Sequence, residues 1–119
     1  MLNWTLDGTD LGFLVGTTLI QVAIGENETN LHFHPDVTIL IQSEVLITAP
    51  GEAVNSLDAS VQVGSALLPL PGKTITEALG TPRGSLVIKW SDGTTVEILN
   101  DSDQYECYSI THGTDFFVV

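Results

Sequence analysis

Apolar and polar residues alternate most regularly over Gly84–Leu99, the sequence GSLVIKWSDGTTVEIL. Such alternation on both sides of Ser91-Asp92-Gly93 predicts a β-hairpin. A two-residue Asp-Gly turn would put apolar and charged residues on the same face of the hairpin. A three-residue loop instead pairs Ile88 with Val96 and keeps one face apolar throughout. We therefore predict a type I turn followed by Gly93 in the left-handed region.

Similar patterns predict strands in the first half of the chain and at the start of the second. Thr17–Ile24 is rich in β-branched residues, which is typical of a strand. Leu31–Thr48 predicts a hairpin that turns at His34-Pro35-Asp36 and continues into a further strand. Gly72–Gly80 has capping-box and helical spacing, but it aligns with the strand of the first half, so we predict a strand with a helical turn as the alternative.

The remaining segments predict one helix and three strands. Ser56–Pro71 is the least strand-like part of the chain, and its small residues with two leucines predict a short helix that the prolines end. Tyr105–Thr111 and Phe116–Val119 predict the last two strands. Met1–Phe13 predicts a short edge strand and a turn.

The two halves of the chain have similar sequences, which suggests an internal repeat of 14–55 and 72–119. Gly16-Thr17-Thr18-Leu19 resembles Gly72-Lys73-Thr74-Ile75, and each half then carries a hairpin and a strand. We predict one mainly β domain over 1–119, with about eight strands in antiparallel sheets and a short helix between two related halves. The sheets form a split barrel or a sandwich. The predicted shared core is Ile39, Ile41, Leu86, Ile88, Trp90, Val96 and Ile98.

The charge balance limits the classes of partner that the protein can bind. The chain has 15 acidic residues against three basic ones, a net charge of −12, and Met1–Gly72 holds no Lys or Arg. Nucleic acids and anionic membranes are poor partners for such a surface, because both require Lys and Arg to meet phosphate. The surface favours a basic protein, a cation, or solubility alone.

The cysteine count and the N-terminus predict a cytoplasmic protein. Cys107 is the single cysteine, so no disulfide can form within the chain. The N-terminus lacks the basic region of a signal peptide, and Leu11–Gly25 is too short and polar to span a membrane.

The hairpin and the residues that follow it resemble a family of small bacterial proteins of unknown function. That family has a G-x-L-x-hydrophobic-x-aromatic-x-D-G-x-x-hydrophobic hairpin, which Gly84–Leu99 matches, and then Tyr-Glu with an aromatic residue two positions on. Asp103 and Tyr105-Glu106-Cys107-Tyr108 fit this continuation, although a Trp is usual where Tyr108 stands.

The resemblance extends to the first half, since Gly16–Gly25 and the Phe33 hairpin fit the family as well. It covers most of the chain after Phe13. The resemblance implies a β-rich fold. It implies no activity, because the family has no assigned reaction and no catalytic residues to carry over.

Two histidines are the best metal candidates. His32 and His34 share a face of a strand, and His-x-His is a recurring ligand pair. The surroundings resemble a cupin, but Glu44 lies too far after His34 and the second cupin motif is missing. A cupin-like ligand or metal-binding domain is therefore the alternative function, and we predict neither a metal site nor a cofactor.

No catalytic set is visible in the sequence. Cys107 has only His112 as a sequence neighbour able to act as a base, and a packed thiol is the commoner explanation. No glycine-rich phosphate loop opens a helix. We predict that the protein is not an enzyme.

The acidic turns predict a partner-binding surface, which joins carboxylates from both halves with two aromatic anchors. Its predicted members are Glu26, Glu28, Asp101, Asp103, Tyr105, Glu106 and Tyr108. Small acidic domains of this character include immunity proteins and antitoxins, an analogy of class alone. The first predicted function is an immunity-type inhibitor of a basic toxin or nuclease, and a structural subunit is a third possibility.

Overall fold

The computed structural model describes residues 11–101 and 107–119, and this part of the chain contains ten strands and one α-helix. In chain order the elements are a 3-10 turn Gly12–Leu14, β1 Thr18–Ile24, β2 Thr29–His34, β3 Val37–Ile41, β4 Val45–Thr48, β5 Asn55–Leu57, α1 Ser60–Leu67, β6 Ile75–Gly80, β7 Leu86–Trp90, β8 Thr95–Ile98, β9 Tyr108–His112 and β10 Asp115–Val118.

The strands form two antiparallel sheets. The first has the order β1-β2-β3-β9-β10 and the second has the order β5-β4-β8-β7-β6. The mainly β class is confirmed, but the described strands number ten rather than about eight, and they do not close into a barrel. The strand missing from the prediction is β5, which pairs with β4 at the edge of the second sheet.

Each sheet combines strands from both halves of the chain. The three consecutive strands β1-β2-β3 pair with the hairpin β9-β10, and β6-β7-β8 pair with the hairpin β4-β5. The two halves therefore exchange their last hairpins. The two sheets have the same strand order once β6–β10 are matched to β1–β5, which is the arrangement a duplication would produce. The duplication itself stays a prediction.

The first strands of the two halves meet where the sheets join. The Gly16 amide donates to the Ile75 carbonyl at 2.8 Å, and the Gly72 amide donates to the Leu19 carbonyl at 2.7 Å. Gly16 matches Gly72 and Leu19 matches Ile75 in the predicted repeat. The two bonds therefore link equivalent positions, with the donor in the first half in one bond and in the second half in the other. Gly16 and Gly72 have φ of +87° and +92°, a region where a side chain would strain the backbone.

The hairpin over Gly84–Leu99 has the predicted register. Ile88 pairs with Val96, and the Trp90 amide donates to the Thr94 carbonyl at 2.9 Å across a three-residue loop. Gly93 has φ of +92°. The predicted turn is confirmed, because the register that keeps apolar residues on one face is the one that forms.

The sequence also predicted the core, the strand at β6 and the short helix, and all three are confirmed. Every residue of the predicted shared core is buried. The helix α1 ends at Leu67, before the two prolines, and packs against β1 and β2. A Cβ on Gly64 would lie 2.6 Å from the Ile24 Cδ1, so the helix can approach β1 this closely only without a side chain there.

Candidate binding surface at the acidic end

The strand pairing brings four connections to one end of the molecule. Thr29 at the start of β2 pairs with Ile41 at the end of β3, and Ile41 pairs with Tyr108 at the start of β9. The β1–β2 turn, the β3–β4 connection and the end of the β8–β9 connection therefore lie together. The segment between β5 and α1 joins them, because Leu57 pairs with Val45 at the start of β4.

Ser60 ties the helix to the β1–β2 turn. Its Oγ lies 2.8 Å from the Gly25 carbonyl oxygen and 2.9 Å from that of Glu26, and it donates its proton to this pair. The Thr29 hydroxyl in turn donates to the Ser60 carbonyl at 3.1 Å. The acidic turn that carries Glu26 and Glu28 is therefore fixed to the start of α1.

Glu44 and Asp101 come together from different connections. The Glu44 amide donates to Asp101 Oδ2 at 3.4 Å, and the Leu99 amide donates to the Glu44 carbonyl at 3.0 Å. The Ser56 hydroxyl donates to Glu44 Oε2. We call the group of carboxylates at this end the acidic end, and its described members are Glu26, Glu28, Glu44, Asp58 and Asp101.

The structure brings together three of the seven residues that the sequence predicted for partner binding. Glu26 and Asp101 are exposed, Glu28 is half-buried, and all three stand at the acidic end. Asp103, Tyr105 and Glu106 lie outside the described residues. Glu44 and Asp58 are additional members that sequence reasoning missed, since they belong to connections whose meeting depends on the strand order.

Tyr108 corrects the prediction of an aromatic anchor. Its side chain is 0 % exposed, and its hydroxyl donates to the Gly84 carbonyl across the core. Burial, followed by the neighbouring Cys107, raises the pKa of Tyr108 well above its ordinary value. Tyr108 is therefore a core residue that a partner cannot reach. The sequence contained a signal for this burial. Tyr108 and Ile110 are two residues apart, so their side chains lie on the same face of a strand.

The histidines predicted as a metal pair are not joined by further ligands. His32 points to the outer face of its sheet, where its Nδ1 lies 3.3 Å from the Thr38 hydroxyl, and His34 is exposed at the end of β2. Within 11–101 and 107–119, no three His, Cys, Asp or Glu side chains stand close enough to hold a metal ion.

Cys107 and His112 stand apart as well. The Cys107 thiol is buried, with its Sγ 3.5 Å from Asn100 Oδ1 at the acidic end. His112 ends β9, where its ring stacks on Phe13 with the ring centres 4.4 Å apart. The length of β9 therefore separates the thiol from this imidazole.

A small polar cleft opens at the acidic end beside the start of α1. It has a volume of about 20 Å³, and its polar lining includes Asn27, Gln42, Ser43, Asp58 and Ser60. Ser43 is 7 % exposed, and its Oγ has no hydrogen-bond partner among the described residues. Sequence reasoning missed this cleft, because its lining comes from three separate segments of the chain.

The family model for a family of unknown function, DUF6188, matches residues 12–119. The chain belongs to this family. No curated protein and no solved structure matches it. The membership confirms the resemblance to a family without an assigned reaction, and it brings no functional residues with it.

The described helix is also too short to cross a membrane. An α-helical span needs about 20 apolar residues, whereas α1 has eight residues. No helix in the described part of the chain meets the length and hydropathy that a span requires.

Proposed function

We propose that this protein is a non-catalytic binding module that captures a basic protein through its acidic end. The most concrete form of the proposal is an immunity or antitoxin-type inhibitor of a basic toxin or nuclease, acting in the cytoplasm. The observation that carries the proposal is the meeting of five carboxylates from four connections at one end of two sheets.

The charges at this end are poorly neutralised within the chain. The one ion pair among the described residues joins Lys89 to Glu77 at 3.5 Å, on the outer face of the second sheet. Arg83 stands in the β6–β7 turn at the same end as the five carboxylates, where its carbonyl accepts from Asn100 Nδ2 at 3.1 Å. One guanidinium against five carboxylates leaves the acidic end strongly negative.

A negative end of this kind favours fast capture of a positive partner. Electrostatic steering raises association rates from about 10⁵–10⁶ M⁻¹s⁻¹ to about 10⁸–10⁹ M⁻¹s⁻¹ at low salt. The rate then falls steeply as salt rises, because the Debye length is about 8 Å at physiological ionic strength. Speed of capture is what an inhibitor of a toxic enzyme needs.

The predicted internal repeat is consistent with the choice of this surface. If the halves arose by duplication, the β1–β2 and β6–β7 turns are equivalent. The first turn carries Glu26 and Glu28, whereas the second carries Thr81-Pro82-Arg83-Gly84. The acidic charge is therefore specific to one copy, as expected of a feature acquired for binding rather than for folding.

The test is capture of a partner from the native host with variants that remove charge at either end of the molecule. The double variant Glu26→Gln/Glu28→Gln removes two carboxylates from the acidic end. The matched control Asp36→Asn/Asp115→Asn removes two exposed carboxylates near the β2–β3 turn, at the opposite end of the same sheet. The immobilised proteins are washed at low and then at high salt.

The proposal expects one stoichiometric basic protein that is released by salt and lost with the acidic-end variant, while the control retains it. Stopped-flow association with the purified partner should then be slower for Glu26→Gln/Glu28→Gln alone. Equal effects of the two variants would show that net charge, and not this surface, attracts the partner.

An empty capture would contradict the proposal and favour the two remaining predictions. These are a cupin-like ligand or metal-binding domain using His32 and His34, and a structural subunit. Measurement of zinc, iron and manganese in the purified protein would separate them, since only the first requires bound metal.

A further inference from the structure

Two hydroxyls of the cleft beside α1 have only lone pairs left to offer a ligand. The Ser60 hydroxyl gives its proton to the carbonyls of the β1–β2 turn, and the Thr29 hydroxyl gives its proton to the Ser60 carbonyl. A hydroxyl has one proton and two lone pairs, so both groups can offer only lone pairs to a further neighbour. The lining also includes Asp58, and a carboxylate accepts hydrogen bonds and metal ions through its oxygens.

Ser43 adds a buried hydroxyl that lacks a partner. It lines the same cleft, is 7 % exposed, and makes no hydrogen bond to any described residue. Buried polar groups almost always have a partner, whether protein or a bound species. A ligand bound in the cleft would provide the Ser43 hydroxyl with a partner.

The size of the cleft limits the ligand to a single small species. Its volume of about 20 Å³ is close to that of one water-sized sphere. A fully hydrated ion does not fit, so the ligand must accept protein oxygens in place of part of its water shell. Ca²⁺ does this readily, whereas Mg²⁺ gives up its waters reluctantly and demands octahedral geometry.

We propose that this cleft is a Ca²⁺ site, formed by the Asp58 carboxylate, the Ser43 hydroxyl and the side-chain amide oxygens of Asn27 and Gln42. The net charge of −12 and the neighbouring Glu26 and Glu28 raise the local concentration of cations. Only one carboxylate lines the cleft. The dissociation constant is therefore on the order of 10⁻⁴ to 10⁻³ M, the range of weak calcium modules.

An anion is the competing ligand, because the cleft lies beside the start of α1. Helix N-termini carry partial positive charge and free amides, and Ala59 at the N-cap provides no side-chain cap. Asp58 precedes that position directly, so its carboxylate would repel an anion. The Asp58 carboxylate and the sign of the net charge both favour a cation.

The experiment is a titration of the ¹⁵N-labelled protein with CaCl₂ in 0.1 M KCl, followed by amide chemical shifts. The proposal expects a saturable one-to-one change confined to Asn27, Gln42–Ser43 and Asp58–Ser60. Asp58→Asn should weaken the affinity at least tenfold, while Asp36→Asn, which removes the same charge at the opposite end, should leave it within twofold. MgCl₂ should bind at least tenfold more weakly than CaCl₂.

Ser43→Ala provides a test that does not depend on charge. It should weaken Ca²⁺ binding, yet leave the Tm of the metal-free protein unchanged or higher, because it removes an unpaired buried hydroxyl. A lower Tm for the metal-free variant would reveal an internal partner for Ser43 and overturn its role as a ligand.

Three other results would overturn the site. Shifts that spread over all exposed carboxylates without saturation would indicate a diffuse counterion cloud. Equal weakening by Asp58→Asn and Asp36→Asn would have the same meaning. Saturable binding of phosphate at these residues, with no response to Ca²⁺, would show that the helix N-terminus decides the ligand. None of these results depends on the protein partner proposed above.

Discussion

The β1–β2 turn and the β6–β7 turn occupy matching places in the two sheets, but different hydroxyl groups hold them. Ser60 of α1 donates to the carbonyls of the first turn. Tyr108 of β9 donates to the Gly84 carbonyl of the second. Matching turns on a shared strand framework are therefore held by different contacts, and only the first of them carries acidic residues.

The matching core positions Leu19 and Ile75 offer the sharpest test of how alike the halves are. Both are buried beside the bonds that join β1 to β6. Leu19→Ala and Ile75→Ala should each lower the free energy of unfolding by about 3 kcal/mol, through lost burial and a cavity. Urea unfolding measures both. A difference of more than about 1.5 kcal/mol would mean that the halves are not energetically equivalent.

A substitution at Gly64 tests the direct packing of α1 on β1. Only the first half of the chain shows this feature clearly. A Cβ there would crowd the Ile24 side chain, so Gly64→Ala should destabilise the protein by about 2 kcal/mol despite the better helix propensity of alanine. Ile24→Ala should restore most of this loss. Thermal unfolding of the two single variants and the double variant gives the coupling, and simple additivity would contradict the crowding.

Removing the Tyr108 hydroxyl and the Ser60 hydroxyl one at a time compares how much each contributes to stability. Tyr108→Phe leaves a buried carbonyl of Gly84 without its donor and should cost about 1.5 kcal/mol. Ser60→Ala affects a turn that water can reach, so it should cost about 0.5–1 kcal/mol. Chemical unfolding measures both, and an equal or reversed order would show that burial does not set the difference.

Alkaline pH gives a second measurement on Tyr108. Burial raises its pKa above the ordinary value of 10.0, so the folded protein keeps the phenol proton where the unfolded chain loses it. The contribution to stability is complete below pH 10 and falls as the pH rises beyond it, by up to about 1.4 kcal/mol per pH unit. Unfolding followed from pH 9 to 11 should show a shallower fall for Tyr108→Phe. Identical slopes would contradict the raised pKa.

Phe33 and Trp90 stand at matching positions and stack with their ring centres 5.8 Å apart. The Trp90 Nε1 is buried without a described partner. Trp90→Phe makes the pair symmetric and removes this unpaired donor, which offsets the lost volume. The expected change in the free energy of unfolding is within about 1 kcal/mol, the smallest in this series. A loss near 3 kcal/mol would show that the volume of the indole outweighs its unpaired N–H.

Local patterns predicted the elements whose register depends on their own sequence. In the hairpin at Gly93, one register alone keeps Ile88 and Val96 on an apolar face. The alternation of side chains along the two strands therefore determines the length of the turn. The end of α1 before Pro69 follows from a short-range constraint as well, whereas the strand at β6 was predicted from its likeness to the first half and against its own helical spacing. The predicted core then followed from the apolar faces.

Features that depend on distant partners could not be predicted. Asn55–Leu57 has no alternation of its own and becomes β5 because β4 offers an edge. The exchange of hairpins between the sheets leaves no local signal, because β3 could equally have paired with β4. The cleft and the added members Glu44 and Asp58 depend on that exchange. Tyr108 is different, because its spacing from Ile110 was a local signal for burial that the prediction of an aromatic anchor overlooked.

The exchanged hairpins also govern the order in which the protein can be completed on the ribosome. Val37 of β3 pairs with His112 of β9, so the first sheet stays open at β3 until β9 has been made. Pairings this distant in sequence slow folding. Until β9 arrives, the nascent chain presents β3 as a bare edge, the surface through which strands of different molecules associate. Pairing with β9 is therefore what protects the edge of β3 against aggregation during synthesis.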